Sequence, residues 1–447
     1  MASRKFSRRR FIGTTAAAST AVLFAPYIRT SHAAGSLAVG FWDHWVPKAN
    51  DVLTALCNEW AAKEKVDLKI DYIPSQGNKN LLTIAAEAQA RAGHDMLAFP
   101  SWWPADKAND LEPVDDVMKK LIADNGPVSS LIEYLAKPHS WVAIPATPGS
   151  QIKGPCGRID LFKQHAGIDL QKMYPAGAAP DKSADQWTWD ALLAAAEKFH
   201  KAGVPIGIGL GQTTDSVDTQ GALWSAYGAQ MVDAKGNITV KSDAVKQVLE
   251  YMKRLMAYLP ADVPAWDDAS NNKWLVSGKG AMIMNPPSAW AVAKRDAPKV
   301  AEQLWTFPSP RGPKGRYQPY LPYFWGIWKF SKNKPAAKSL MLHISQRSSV
   351  EKMVAASQGY DIPAFAKLND FKTWAEEGPP KGTLYNYPPK PGQILSISAY
   401  PAPPKIAFQI YTQAIATKLV VKVTQGGEPI DKALGWAASE LEGFTRT

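Results

Sequence analysis

Aromatic residues in loops are the first feature of this sequence that could do chemistry. Trp102 and Trp103 stand side by side in FPSWWPADKAND, positions 99–110, where Ser101 and Pro104 favour a loop over a strand or helix. Large aromatic residues usually lie in a core, so an exposed pair at a loop tip indicates a binding surface. We expect at least one of the two indoles to contact a ligand, with the other packing against the protein.

Motifs for nucleotide and acyl chemistry are incomplete. GIGLG at 207–211 follows a predicted strand, but its third glycine comes one position early and residues 212–215 do not open an apolar helix, so the dinucleotide fingerprint fails. The sequence has no GxxxxGK[ST], GxSxG or HExxH motif. The acidic pairs Asp115-Asp116 and Asp267-Asp268 are interpreted as solvated surface.

Metal and disulfide chemistry are also not indicated. The seven histidines are scattered singly, so we predict no metal site, and no cofactor is expected. Cys57 and Cys156 are the two cysteines, too few for a disulfide framework. Cys57 falls within a helical apolar pattern, which predicts a buried free thiol.

Short apolar segments alternate with helical patterns, which predicts α/β layers with a largely parallel sheet. Strands are predicted at 37–41, 68–73, 95–99 and 204–208, and helices at 51–64, 80–91 and 190–201. Thr188 is predicted to cap the helix at 190–201. Three more helices are predicted to start at Ser242, Pro335 and Pro429. Stretches rich in proline and glycine, predicted to be irregular crossings or site loops, lie at 145–157, 308–324 and 378–404.

The N-terminus has the order of an export signal. Paired arginines in SRRRFI precede a moderately apolar run at 12–25, and Ser31-His32-Ala33 offers small residues for cleavage. We predict a twin-arginine signal peptide at 1–33 and a periplasmic mature protein. Its removal takes away six basic residues and leaves 45 basic against 40 acidic, a net charge of +5. That weak bias gives no support to nucleic-acid binding.

Several longer stretches carry a family resemblance. LAVGFWDHW, HDMLAFPSWWPADKANDLEPVDDV, WVAIPATPGSQIKGPCGRIDLFKQHAGID, QWTWDALLAAAEKF and NNKWLVSGKGAMIMNPPSAW occur in the order found in the maltodextrin-type extracellular solute-binding proteins of sugar ABC transporters. Nearly the whole chain after residue 33 resembles that family. It departs at 155–160, PCGRID, where many members have Tyr-Asn-Lys-Asp, and the tryptophan pair is not a fixed family feature.

The resemblance implies a two-lobed α/β periplasmic-binding-protein fold, with a hinge that the chain crosses several times and a ligand cleft between the lobes. The first lobe would comprise 34–145 plus 305–347, and the second 146–304 plus 348–447. The implied protein is a monomeric receptor, not an enzyme, that delivers a solute to permease subunits in the inner membrane.

A sugar or polyol is the ligand that the resemblance and the seventeen tryptophans favour, because flat rings stack on apolar C–H faces while polar groups bind hydroxyls. The aromatic candidates are Trp42, Trp45, Trp102, Trp103, Trp224, Trp290, Tyr320, Tyr323 and Tyr400. The polar candidates are Asp43, His44, Ser101, Gln151, Asp218, Asn285 and Ser288. Core positions are expected instead for Trp60, Trp187, Trp189, Trp274 and Trp436.

Each candidate has a structural alternative. His44 and Trp45 could cap a turn, Asn285 could bond its own turn, and Tyr323 could line the hinge. Likewise Trp290 could cover a helix and Tyr320 could lie at the hinge. A second function also stays open, because glycoside hydrolases use carboxylates that only the fold brings together. An exported carbohydrate-active enzyme is therefore the alternative to the receptor.

Overall fold

A computed structural model describes residues 35–176, 178–377, 388–389 and 392–446. The predicted signal peptide at 1–33 lies outside the described residues, as does much of the predicted irregular stretch at 378–404. None of the helices in the described part combines the length and the hydropathy that a membrane span requires.

The described strands form two separate sheets. Seven strands make the large sheet, with the path β10-β9-β3-β1-β2 and with β4 and β8 also paired to β9; three make the small sheet, in the order β6-β5-β7. Their bounds are β1 (Ser36–Trp42), β2 (Asp67–Ile73), β3 (Met96–Pro100), β4 (Ile144–Ile152), β5 (Pro155–Arg158), β6 (Met282–Met284), β7 (Leu304–Thr306), β8 (Arg311–Gly312), β9 (Gly315–Ile327) and β10 (Gln393–Ser396).

The prediction of a largely parallel sheet is only partly right. β1 pairs in parallel with β2 and β3, as alternating strands and helices require. β9 runs antiparallel to both β3 and β4, and the small sheet is antiparallel throughout. Between β4 and β9 the chain forms the three strands of the small sheet. The direction of β9 is therefore not set by a local βαβ connection.

The helices cover both sheets. Those of the first half are α1 (Pro47–Glu64), α2 (Lys79–Ala90), α3 (Trp103–Asp106), α4 (Asp115–Asn125), α5 (Ser130–Ala136), α6 (Ile159–Leu161), α7 (Leu170–Met173), α8 (Trp189–Lys201) and α9 (Thr214–Tyr227). The rest are α10 (Asp243–Met256), α11 (Ser270–Val276), α12 (Pro286–Asp296), α13 (Pro298–Ala301), α14 (Lys334–Ile344), α15 (Arg347–Ala356), α16 (Thr373–Glu376), α17 (Pro404–Thr412), α18 (Ile415–Thr424) and α19 (Ile430–Thr445).

Local signals placed most of the helix starts correctly. Thr188 caps α8 by accepting a hydrogen bond from the Ala191 N–H, and Pro335 lies in the first turn of α14. Ser242 occupies the N-cap position of α10 but makes no capping hydrogen bond through its side chain. A helix with a polar first turn does begin within 212–215, since α9 starts at Thr214 and is capped by Thr213.

The predicted strand at 204–208 does not form, and two stretches predicted to be irregular contain strands. Gly207 forms only an isolated bridge with Ile283. Residues 145–157 form most of β4 and β5, while 308–324 includes β8 and most of β9. Pro145 and Pro155 lie at strand ends, where a ladder hydrogen bond can be missing, whereas Pro148, Pro319 and Pro322 lie inside β4 and β9. The chain passes between the two sheets at Lys153-Gly154 and again at 307–310.

The core confirms the expected buried residues. Cys57 and Trp60 lie inside α1, and Trp187 and Trp189 are almost fully buried. Trp274 and Trp436 are partly buried against the same core. Late helices reach the first half of the chain as well, because α15 packs against α1 and β4, and α17 packs against α3.

Candidate functional site

A cleft lies between the two sheets, with about 310 Å³ of empty space, part of it open to solvent. One side comes from the ends of β1 and β2 and the loop after β1, and the floor from β4 and β9. The other side comes from the start of α9, the segment before α11 and the turn after β6. The lining residues are Trp42, Trp45, Ser75, Gln151, Thr214, Asp215, Asp268, Asn285, Leu321, Tyr323 and Tyr360.

Aromatic rings form one wall of this cleft. The Trp42 ring centroid lies 5.5 Å from that of Tyr323 and 6.1 Å from that of Tyr360, with tilted planes. Trp45 is partly exposed beside them. Gly149 packs beneath the wall, where an added Cβ would lie 2.9 Å from the Tyr323 ring. Its φ of +91° favours glycine as well. The Trp42, Tyr323 and Tyr360 rings are buried in this wall, and Trp45 is the ring that offers partly exposed apolar surface to a solute.

Three polar atoms at the cleft are buried without a hydrogen-bond partner in the described part of the chain. They are Trp42 Nε1, Gln151 Oε1 and Asn285 Oδ1. A buried polar group left unpaired costs about 1–3 kcal/mol, and such groups are rare in folded proteins. Because all three belong to residues that line one cavity, a bound solute with hydroxyl groups would satisfy them together.

A buried charged group lies under the side of the cleft that α9 forms. The Lys153 ammonium, at the first passage between the sheets, lies 3.0 Å from Asp215 Oδ1 and 2.7 Å from Asp218 Oδ2. Burial by itself would lower the pKa of Lys153, but the two carboxylates outweigh it and raise that pKa above its usual value. Lys153 is therefore a fixed positive charge that ties the first passage between the sheets to α9.

Asp215 is held rigidly at the edge of the cleft. Its Oδ2 accepts hydrogen bonds from Asn271 Nδ2 at 2.9 Å and from Asn285 Nδ2 at 2.8 Å. The second donation fixes the orientation of the Asn285 amide, which leaves its oxygen as the unpaired atom. Asp215 and Asn285 thus form one preorganised unit contributed by α9 and by the turn after β6.

Asp268 is the second carboxylate of the cleft. Burial raises its pKa to about 7, with the neighbouring Asp215 carboxylate adding to the effect and Lys153 opposing it. The interpretation of Asp267-Asp268 as solvated surface is therefore right only for Asp267, which is exposed. The fold, not the sequence spacing, brings Asp268 to Asp215.

His44 supports the cleft from behind. Its Nδ1 accepts a hydrogen bond from the Val46 N–H at 2.8 Å, so its Nε2 donates to Asp361 at 3.0 Å. The same Asp361 oxygen accepts the Gly149 N–H at 2.8 Å. His44 thereby takes the capping alternative and joins the loop after β1 to β4 and to the segment after α15.

The tryptophan pair is not exposed, and that prediction is wrong. Trp102 is completely buried and donates its indole N–H to the Ser398 carbonyl at 2.9 Å. Trp103 packs edge-on against Phe408 and Tyr411, with ring centroids 5.1 and 6.0 Å apart. Helix α17 covers the loop, and the sequence at 99–110 gives no sign of this partner some 300 residues away. Neither indole lines the cleft.

A second cavity holds two other predicted residues. Trp224 and the half-exposed Tyr400 line about 350 Å³ of empty space between α9 and the loop before α17. Trp224 Nε1 has no hydrogen-bond partner among the described residues. The predicted aromatic candidates are thus divided between two cavities.

The remaining predicted residues lie outside both cavities. Asp43 is exposed and accepts from Asn50, and Ser288 donates to Asn272. Trp290 is buried beneath the Lys294 ammonium. This position agrees with the alternative that Trp290 covers a helix. Ser101 and Tyr320 are buried, and Asp218 pairs with Lys153 below the cleft floor.

Sequence reasoning missed six lining residues: Ser75, Thr214, Asp215, Asp268, Leu321 and Tyr360. A signal existed for two of them, since Thr213-Thr214-Asp215 has the composition of a helix start. Tyr360 and Asp268 follow no strand, and only the tertiary structure brings them to the cleft.

These features define the class: two α/β lobes with a solute cleft between them, the fold of periplasmic binding proteins. The chain belongs to the bacterial extracellular solute-binding protein family, whose model matches residues 47–341. A comparison with curated protein sequences finds no significant match.

Solved structures confirm the fold. A solute-binding protein of Thermotoga lettingae with bound α-D-tagatose is 16% identical, with a TM-score of 0.72, covering 92% of this chain and 100% of that one. The GacH receptor of Streptomyces glaucescens, solved unliganded and with acarbose, is 19% identical, with a TM-score of 0.70 and coverages of 92% and 99%. A sugar transporter protein of Arthrobacter chlorophenolicus with bound laminaribiose is 14% identical, with the same TM-score and coverages.

Proposed function

We propose that this protein is the exported substrate-binding component of an ABC importer. It binds a sugar or related polyhydroxy solute in the cleft and delivers it to permease subunits of the inner membrane. The observation that carries the proposal is the meeting of an aromatic wall with three buried, unpaired polar atoms in one cavity. The solutes named for the neighbouring structures, tagatose, acarbose and laminaribiose, support the same class.

The location rests on the sequence. The twin-arginine segment at 1–33 would direct export, and the mature receptor would act in the periplasm as a monomer. The proposed lobes are 34–145 plus 305–347 and 146–304 plus 348–447. The passages at Lys153-Gly154 and 307–310 lie close to two of these boundaries and are the candidate hinge segments.

The energetics require both parts of the site. Stacking about 100 Å² of sugar face on a ring yields roughly 2.5 kcal/mol, and micromolar affinity needs about 8 kcal/mol. Hydrogen bonds at about 1 kcal/mol each must supply much of the rest. A solute that touches both lobes can also drive closure, since inverting a 99:1 open population takes about 5.5 kcal/mol of differential affinity.

The test is a thermal-shift panel of sugars and polyols followed by calorimetry on any solute that binds. We expect micromolar affinity, with the solute recovered intact. Trp45→Ala should weaken binding at least tenfold, because it removes part of the aromatic wall. Trp436→Ala is the matched control, since Trp436 is also partly buried but lies on α19 under Lys422; its affinity should not change.

Two outcomes would contradict the proposal. One is the absence of any shift across the panel, and the other is recovery of a cleaved product, which would restore the glycoside hydrolase alternative.

A further inference from the structure

The cleft carries negative charge that the described protein does not balance. Asp215 and Asp268 line it, and none of its lining residues is cationic. Lys153 lies below the cleft floor and is shared between Asp215 and Asp218. Three carboxylates therefore face one ammonium, with burial raising the pKa of both Asp218 and Asp268. The amino end of α9 adds only about half a positive charge at this point.

The unpaired polar atoms at the cleft also favour a ligand that donates hydrogen bonds. Gln151 and Asn285 each leave a carbonyl oxygen without a donor, whereas Trp42 Nε1 is the one unpaired donor among the cleft residues that the structure describes. The Asn285 assignment is fixed because its Nδ2 donates to Asp215. The site thus has more acceptors to satisfy than donors, and it lies beside two carboxylates.

We propose, in an inference that rests on the proposed function, that the solute is an amino sugar or amino polyol. Its protonated amine binds between Asp215, Asp268 and the Asn285 carbonyl. An ammonium supplies three N–H donors and no acceptor, which matches this inventory. Charge-assisted hydrogen bonds are roughly twice as strong as neutral ones. The partly exposed Trp45 ring of the aromatic wall would bind the apolar face of the same solute.

Proton linkage gives this inference a signature that a neutral sugar lacks. Burial and Asp215 raise the pKa of Asp268 to about 7, so the unliganded cleft carries a partial proton near neutrality. A bound ammonium would lower that pKa and displace the proton. Affinity for the cation should therefore rise between pH 5 and pH 8. The ionisable groups that interact with Asp268 are Lys153 at the passage between the sheets, Asp215 on α9, Tyr323 on β9 and Tyr411 on α17.

The experiment measures matched pairs of solutes by calorimetry: glucosamine and glucose, galactosamine and galactose, and 1-amino-1-deoxysorbitol and sorbitol. At pH 6.5 we expect the amine member of the accepted pair to bind at least tenfold more tightly. Asp268→Asn should reduce that preference to threefold or less. Asp243→Asn, at an exposed position of α10, is the control and should keep the full preference.

A second readout does not depend on variants. Titrations in two buffers of different ionisation enthalpy should show release of a fraction of a proton with the amino polyol near pH 7, and none with sorbitol. Equal or tighter binding of the neutral members would overturn the amine inference and leave the sugar receptor intact. If no member of any pair and no other sugar binds, the proposed function fails and the inference fails with it.

Discussion

The cleft and the tryptophan junction, formed by Trp102, Trp103, Ser398, Phe408 and Tyr411, are both rich in aromatic side chains that follow strands of the large sheet. They differ at their indole nitrogens, although the Tyr411 hydroxyl of the junction is also buried without a hydrogen-bond partner among the described residues. In the junction, the Trp102 N–H is bonded to the Ser398 carbonyl. In the cleft, Trp42 Nε1 and the Gln151 and Asn285 oxygens have no partner in the described chain.

The difference separates packing from recognition. Aromatic rings bury apolar area equally well in both places, so their presence does not distinguish a core from a binding site. Unpaired buried polar atoms cost free energy in the absence of a solute, and where several of them belong to residues that line one cavity a ligand can complete them. The junction is therefore a structural contact between α3 and α17, and the cleft is the candidate site.

The largest expected effect is a loss of stability in the junction. Trp102→Ala should lower the free energy of unfolding by about 3–5 kcal/mol for the lost side chain, with about 1–3 kcal/mol more because the Ser398 carbonyl loses its donor. Denaturant unfolding measures it. Trp102→Phe keeps most of the packing and should lose only about 1–3 kcal/mol. A Trp102→Ala variant with wild-type stability would show that the ring is not buried.

A comparable loss is expected beneath the cleft. Lys153→Met leaves Asp215 and Asp218 without their cation and should cost about 3–5 kcal/mol in the free energy of unfolding. Lys201→Met removes an exposed i,i+4 pair with Glu197 and is the control, for which we expect no measurable loss of stability. Equal effects of the two substitutions in chemical denaturation would contradict the buried ion-pair assignment.

A smaller effect should appear in the pH dependence of stability. The pKa of Asp268 is raised in the folded state, so the folded chain binds this proton more tightly than the unfolded chain does. Its contribution therefore favours folding at low pH and is lost as pH rises from about 4 to about 7, by about 4 kcal/mol at most. Asp268→Asn should lack this slope. Parallel stability curves for the two proteins from pH 4 to pH 8 would refute the raised pKa.

The sequence predicted the family and the two-lobed fold because those depend on patterns spread over the whole chain. It also located Trp45, Gln151, Asn285 and Tyr323, which line the cleft. Each of these lies in or directly after a strand of the fold that the family resemblance implied. Position after a strand did not suffice by itself, since Trp102 and Trp103 also follow a strand and are buried outside the cleft.

The failures have a common physical cause. Trp102 and Trp103 looked exposed because their partners, Ser398, Phe408 and Tyr411, lie about 300 residues further along the chain. Asp268 looked solvated because its neighbour Asp215 comes from another element. Burial and pKa depend on what packs from outside the local segment, and local composition does not carry that information.

By itself the sequence determined the family, the export signal that we predict, and the alternation of strands and helices. Each of these depends only on the spacing and order of residues along the chain. Only the tertiary structure decided which aromatic residues are sealed and which face the cleft. It alone also placed three aspartates around one lysine. Solvent exposure and electrostatic coupling arise from distances between distant segments, and those distances exist only once the chain has folded.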